Sequence, residues 1–200
     1  MNSLLDGAEA VEVTIASTDR HFEEILALQR RNHLSAVSTE VQNREGFVFA
    51  EHTVPLLRSM AALSPQAIAL SGGSVVGYCL TLPRALKEEL PSLLPMFRQF
   101  GRCDYRGRRL SSYRYFVGGQ VCVDRKQRGQ GLLARLYERL RESLAASCDL
   151  CVTEISVRNQ VSIRAHEKVG FEIISRYSGQ GEDWVIVAWD LRVREGKRGN

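Results

Sequence analysis

The sequence predicts one mixed α/β domain spanning all 200 residues, with residues 1–10 and 193–200 as loose termini. Three observations carry that reading. In the first half, two short apolar runs flank a Gly-Gly turn, the signature of a hairpin. In the second half, the most periodic helix of the chain lies between two apolar strands. No long polar linker divides the two halves. An apolar fraction of 44 % and a charged fraction of 25 % exclude a disordered chain and a disulfide scaffold. No stretch approaches the roughly 18 consecutive apolar residues of a membrane span, and MNSLLDGAEAVEV has no basic region ahead of an apolar core. A cytoplasmic protein that contacts no membrane is expected.

The elements follow in order. VEVTIAS (11–17) alternates apolar and polar residues and reads as a strand. Asp19 then caps a helix whose residues Phe22, Ile25, Leu26 and Leu28 recur at helical spacing. An irregular stretch follows from residue 33, then a helix around Val54–Ala62 that stops at Ser64-Pro65. QAIAL (66–70), the turn Ser71-Gly72-Gly73-Ser74 and VVGYCLTL (75–82) form the hairpin, ended by Pro83. Residues 85–100 read as helix interrupted by Pro91 and Pro95, and 101–112 as a basic loop. YRYFVGGQVCV (113–123) is a strand, and residues 129–147 a helix with Leu132, Leu136, Leu140 and Leu144 four apart. LCVTEISV (150–157), a short helix at 160–169, FEIISRYS (171–178) and WVIVAWDL (184–191) complete the chain.

Charge and cysteine content narrow the function. The 27 basic and 23 acidic side chains leave a net charge of +4, too little and too scattered for a nucleic-acid binder. Two basic clusters, Arg102–Arg109 and Arg192–Arg198, read as solvated loop and tail, or as attraction for a polyanion. Five cysteines fit free thiols in a reducing compartment. Cys148–Cys151 has C-x-x-C spacing but no second ligand pair, and the four histidines share no spacing, so no metal site is expected.

Chemistry concentrates in Val121-Cys122-Val123-Asp124-Arg125-Lys126-Gln127-Arg128-Gly129-Gln130-Gly131-Leu132. A strand ends, a basic turn follows and a long helix opens. The first amides of that helix lack intrahelical acceptors and carry the positive end of the dipole, which suits a pyrophosphate. Gly129 and Gly131 let the backbone approach the anion, and Arg128 and Lys126 offer charge-assisted bonds. The third glycine of a dinucleotide fingerprint is Ala134, and no G-K-[ST] makes a P-loop.

About thirty residues on, Asn159, Ser162, His166, Gly170 and Phe171 stand as N-x-x-S-x-x-x-H-x-x-x-G-F. With the first motif, this segment resembles the GNAT superfamily of acyl-CoA-dependent N-acetyltransferases. The family signature [RQ]-x-x-G-x-[GA] is matched from Lys126 to Gly131, with Lys in the first place. The signature N-x-x-A-x-x-x-Y-x-x-x-G-F is matched with Ser162 for Ala and His166 for Tyr. The order of upstream elements agrees as well, so the likeness covers nearly the whole chain.

The resemblance implies a central, mostly antiparallel sheet with a splayed parallel pair and flanking helices. It implies that Val121, Cys122 and Val123 pair with the pantetheine arm of acetyl-CoA. Lys126, Arg128, Gly129, Gln130, Gly131 and Leu132 then hold the pyrophosphate, and Asn159 and Ser162 lie near the pantetheine. His166 falls near the thioester sulfur, as an acid that titrates near neutrality or as a structural histidine. The usual acid on the strand before the turn is replaced by Gly118, Gly119 and Gln120, which leaves Glu154 as the candidate base or an orienting carboxylate. The expected partners are acetyl-CoA and a primary amine of a small molecule or peptide. Exposed strand edges are compatible with a homodimer. The alternative is a non-catalytic acyl-CoA-binding module, favoured by the missing acid and by His in place of Tyr. Residues 30–60 and 83–112 are expected to choose the acceptor.

Overall fold

The computed structural model describes residues 10–89, 93–179 and 181–192. Residues 1–9 and 193–200, and with them most of the C-terminal basic cluster, lie outside the described residues. Among the described residues nine strands and six α-helices follow one another as β1 (Glu12–Ile15), α1 (Asp19–Asn32), α2 (Thr39–Glu45), α3 (Val54–Leu63), β2 (Ala67–Ser71), β3 (Ser74–Leu82), α4 (Leu94–Phe100), β4 (Asp104–Tyr105), β5 (Arg108–Arg109), β6 (Tyr115–Val123), α5 (Leu132–Leu144), β7 (Leu150–Ser156), α6 (Gln160–Val169), β8 (Glu172–Gly179) and β9 (Glu182–Asp190). Seven strands make one sheet in the order β1-β2-β3-β6-β7-β9-β8, antiparallel everywhere except between β6 and β7. The mixed sheet expected from the sequence is the one observed.

Side-chain alternation along the strands explains the layers. Ala67, Ala69, Cys79, Cys151, Val185 and Val187 face the apolar stripe of α5, Leu132, Leu136 and Leu140, and Ile163 of α6. On the other face Ile68, Tyr78 and Leu80 meet Phe22, Ile25 and Leu28 of α1 and Leu57 and Met60 of α3. Farther along that face Val117, Val152, Ile186 and Ala188 meet Met96 and Phe100 of α4, with Tyr105 and Leu110 of the basic segment.

Several boundaries differ from the sequence expectation for local reasons. Thr18 rather than Asp19 caps α1, its hydroxyl accepting from the His21 amide. The unassigned stretch contains α2, capped by Ser38 and ended by Gly46 at φ 77°. The basic loop holds the short β4–β5 hairpin, which turns through Arg106 and Gly107, both at positive φ. The long helix opens at Leu132, three residues late, because Gly129 and Gly131 adopt left-handed conformations that no helix continues. Among the described residues no helix is long and apolar enough to cross a membrane.

Candidate active site

The site is built where the sheet fails to close. β6 and β7 pair through only three positions, Tyr115 with Leu150, Phe116 with Cys151 and Val117 with Val152. Beyond them both strands continue, β6 to Val123 and β7 to Ser156, without pairing to each other. A bulge starts the divergence: Leu80 of β3 faces Gln120 while Thr81 faces Gly118, leaving Gly119 as the extra residue. Bulges bend a strand and increase its twist. At the fork Thr153 Oγ1 donates to the Gly118 carbonyl at 2.7 Å, a side chain taking over where the ladder stops. Gly118 is closely surrounded. An added Cβ would stand 3.3 Å from Thr153 Cβ and 3.5 Å from both Cys151 Sγ and Tyr137 Oη. Because β6 pairs with β3 along its other edge, alternate backbone groups from Gly119 to Val123 face the gap.

At the end of β6, Asp124 caps a turn of 3₁₀ helix at Arg125–Gln127 and the chain bends through Gly129 and Gly131 into α5. Gly131 occupies the N-cap, so no side chain satisfies the first amides of α5. Thr18, Ser38, Thr53 and Asn159, by contrast, cap α1, α2, α3 and α6 with side-chain oxygens. The open amides face a cleft of about 520 Å³ between the turn, α6 and the Gly46–Val48 segment. Uncapped donors at a helix start beside an unpaired strand edge fit a pyrophosphate with an extended, amide-bearing arm. Val121, Cys122, Val123, Arg128, Gly129, Gly131, Leu132, Asn159 and Ser162 all line this cleft, whereas Lys126 and Gln130 do not. Lys126 is exposed with no side-chain partner among the described residues, and Gln130 reaches back to Gln127.

Arg128 departs from its expected use. Its guanidinium donates to the Val123 carbonyl at 3.0 Å, the Glu45 carbonyl at 3.0 Å and Asn32 Oδ1 at 2.8 Å, with Glu45 Oε2 at 3.4 Å. The side chain braces β6 against the ends of α1 and α2 instead of projecting to a ligand. We expect Arg128→Ala to lower stability by about 2 kcal/mol, since three half-buried acceptors lose charge-assisted bonds. Urea unfolding checks this, and an unchanged midpoint would remove the strut. Besides Arg128, the cations among the described residues lining the cleft are Arg164 and Lys168, four apart on α6. Their spacing was visible in the sequence, but the face of α6 turned to the cleft was not. None of the arginines of the 102–109 segment lines it. Arg106 pairs with Glu172 and Asp190, Arg109 with Asp104, and Arg108 lies over Tyr113.

A smaller cavity, about 100 Å³, occupies the gap itself and passes through the sheet. His166 and Tyr137 line it from the face of α5 and α6, and Glu154 from the opposite face. His166 is 2 % exposed. Its Nδ1 lies 2.8 Å from the Ser162 carbonyl and must carry the proton, so Nε2 accepts from the Tyr137 hydroxyl at 2.8 Å. Burial pushes its pKa down to about 4, opposed by the Ser162 bond. His166 is therefore neutral at pH 7, and the expectation of a histidine titrating near neutrality is corrected by desolvation. Tyr137, which the sequence pattern did not single out, supplies the buried hydroxyl beside His166. Glu154 is held in the opposite sense. Burial raises its carboxyl to about 7, against the lowering effect of the hydrogen bond from the Tyr177 hydroxyl. The Cys122 thiol, pushed up to about 12 by burial, is no nucleophile at neutral pH.

The second sequence motif turns out to be largely architectural. Asn159 Oδ1 caps α6 at the Ser162 amide, and Asn159 Nδ2 donates to the Phe47 carbonyl at 2.8 Å. Gly170 ends α6 at φ 106°, and Phe171 packs its ring against Tyr137, His166 and Trp189.

Comparisons with known proteins agree with this geometry. The model of the acetyltransferase (GNAT) family matches residues 39–171. The fold is similar to that of the ribosomal-protein-S18-alanine N-acetyltransferase from Escherichia coli, at 14 % identity and a TM-score of 0.59, covering 96 % of this chain and 99 % of that one. It is similar to yncA of Salmonella typhimurium, solved with its cofactor acetyl-CoA, at 16 % identity and a TM-score of 0.56 over 94 % and 97 % of the chains. It is also similar to an N-acetyltransferase from Staphylococcus aureus Mu50, at 17 % identity and a TM-score of 0.60 over 92 % and 99 %. A search of curated proteins returns no significant match. The chain belongs to the acetyltransferase (GNAT) family.

Proposed function

We propose that the acceptor is a primary amine that attacks the thioester directly, with Glu154 as the base. The observation that supports this most is the through-sheet gap, which adjoins the cleft of the uncapped helix start through Val121, Asn159 and Ser162 and holds a carboxylate of pKa about 7 on its other side. In this reading the pyrophosphate rests on the amides around Gly129, Gly131 and Leu132, and the pantetheine arm pairs with Val121–Val123. Arg164 and Lys168 add positive charge at the rim. An ammonium entering beside Glu154 gives up a proton to the half-ionised carboxylate, and its nitrogen attacks the carbonyl carbon. The C–N bond forms, the C–S bond breaks with its electron pair leaving on sulfur, and the second proton of the attacking nitrogen passes to that sulfur, giving the amide and the free thiol. An amide of β6 facing the gap stabilises the developing oxyanion. His166 holds Tyr137 at the floor of the gap and acts as a positioning residue. The same reading treats the whole chain as one catalytic domain in the cytoplasm, with neither nucleic acid nor membrane as partner.

The test has two parts. Calorimetric titration with acetyl-CoA should show micromolar binding, and thiol release from acetyl-CoA should depend on added amine. No binding at millimolar ligand overturns the assignment of the cleft. Binding without amine-dependent release leaves the non-catalytic module.

A further inference from the structure

The segment Phe47–Ala50 has no regular structure of its own apart from a single bridge at Val48, yet three distant side chains pin it. Asn159, the cap of α6, donates to the Phe47 carbonyl. His33, at the end of α1, contacts the Phe49 carbonyl through Nε2 at 3.0 Å, and Gln120 of β6 donates to the Ala50 carbonyl at 2.8 Å. So firm a backbone nevertheless presents Phe49 to solvent, 39 % exposed, where large apolar side chains are usually covered. The ring meets Trp184 edge-on at 5.1 Å between centroids. Both border the small cavity in the sheet, as do Leu93 and Met96, on the face that holds Glu154. Of the described residues lining that cavity, Glu154 is the one carboxylate, and no lysine or arginine is among them.

A lone carboxylate in a wall of neutral polar side chains such as Gln120 and Ser156, with Phe49, Leu93, Met96 and Trp184 as its apolar part, recognises one ammonium attached to an uncharged body. An acceptor with a second charge close to the amine would bring that charge into a cavity whose described lining holds no charged side chain besides Glu154, at a desolvation cost. We infer that the acceptor is an amine whose adjoining substituent is apolar, aromatic or branched aliphatic, and that Phe49 is its specificity-determining contact. This rests on the transfer reading above. None of the arginines of the basic 102–109 segment lines this cavity. The chemistry has two sources, a free arylalkylamine or the N-terminal residue of a peptide.

The experiment measures amine-dependent thiol release from acetyl-CoA with 2-phenylethylamine, ethanolamine, β-alanine and spermidine. Two lysine-free tetrapeptides, identical except for an N-terminal Phe or Asp, are run beside them. The expected result is a kcat/KM at least tenfold higher for the phenyl-bearing member of one or both sets, the set identifying the source. Phe49→Ala, at an exposed site that tolerates truncation, should lower kcat/KM for phenyl-bearing acceptors about tenfold while leaving the KM for acetyl-CoA unchanged. Preference for a charged or hydroxyl-bearing acceptor, or an equal loss across all acceptors in Phe49→Ala, overturns the inference and leaves acetyl transfer standing. No amine-dependent release from any of the six overturns the transfer reading and this inference together.

Discussion

Glu154→Gln is expected to lower amine-dependent acetyl transfer by 10²- to 10⁴-fold, the usual contribution of a positioned base, while making the protein more stable at pH 8. The two effects share one cause. Burial raises the folded-state carboxyl to about 7, above the 4.5 of an unperturbed glutamate. Stability from such a raised group is complete below the unfolded pKa and is lost as pH rises through the folded one. Above pH 7 the native protein must therefore keep a charge in a buried place, a cost on the order of 2–3 kcal/mol. Gln keeps the shape and the acceptor for Tyr177 and removes the charge. Its melting midpoint should equal that of the wild type near pH 4.5 and exceed it increasingly up to pH 8.

The rate profile supplies the matching kinetic sign. The base works ionised, so log kcat/KM of the wild type should fall with unit slope below about pH 7. With the same amine, Glu154→Gln should lack that limb, which separates the enzyme's titration from that of the acceptor. A variant that retains wild-type activity would reduce Glu154 to a structural partner of Tyr177.

Acid destabilisation is the second large effect. His166 and His52 are both buried, and desolvation lowers each to about 4 from 6.5. His52 sits on Gln29 Oε1 at 2.8 Å, a neutral partner that compensates no charge. A depressed folded pKa means that the unfolded chain takes up protons the native one refuses. Stability contributed by these two groups is thus present above pH 6.5 and lost as pH falls toward 4. Each proton is worth about 1.4 kcal/mol per pH unit within that window. Glu154 opposes one of them over the same range, so the wild type should lose about one proton's worth per unit. Glu154→Gln should lose two, and adding His52→Gln should return the slope to one. Urea unfolding at half-unit steps from pH 7 to 5 measures this, and a flat profile in Glu154→Gln would sink it. Carboxylates held low by arginine hydrogen bonds, such as Asp149 by Arg114 and Asp190 by Arg192, respond only at lower pH.

Local chemistry made much of the molecule legible in the sequence. Period-two and period-3.6 patterning located the strands and α5, the Gly72-Gly73 turn located the hairpin, and the two glycines before Leu132 located an uncapped helix start. These features depend on residues near one another in the chain, whose conformational preferences act without knowledge of the fold. The roles of Arg128, Tyr137, His166 and Phe49 depend on what lies opposite them. Arg128 looked like a ligand for phosphate because nothing local revealed Glu45 and Asn32, some 80 to 100 residues away. Likewise, His166 looked titratable because burial is a property of the assembled core.

The sequence by itself determined the order of most elements, the glycine turn that opens α5 without a side-chain cap and the family to which the chain belongs. Tertiary structure alone decided where β6 and β7 part, which carboxylate and which rings meet in the opening, and which cations remain at its rim. The division has a physical origin. Backbone conformation follows local sterics and periodicity, whereas desolvation, charge pairing and cavity shape arise only when distant segments exclude water from one another.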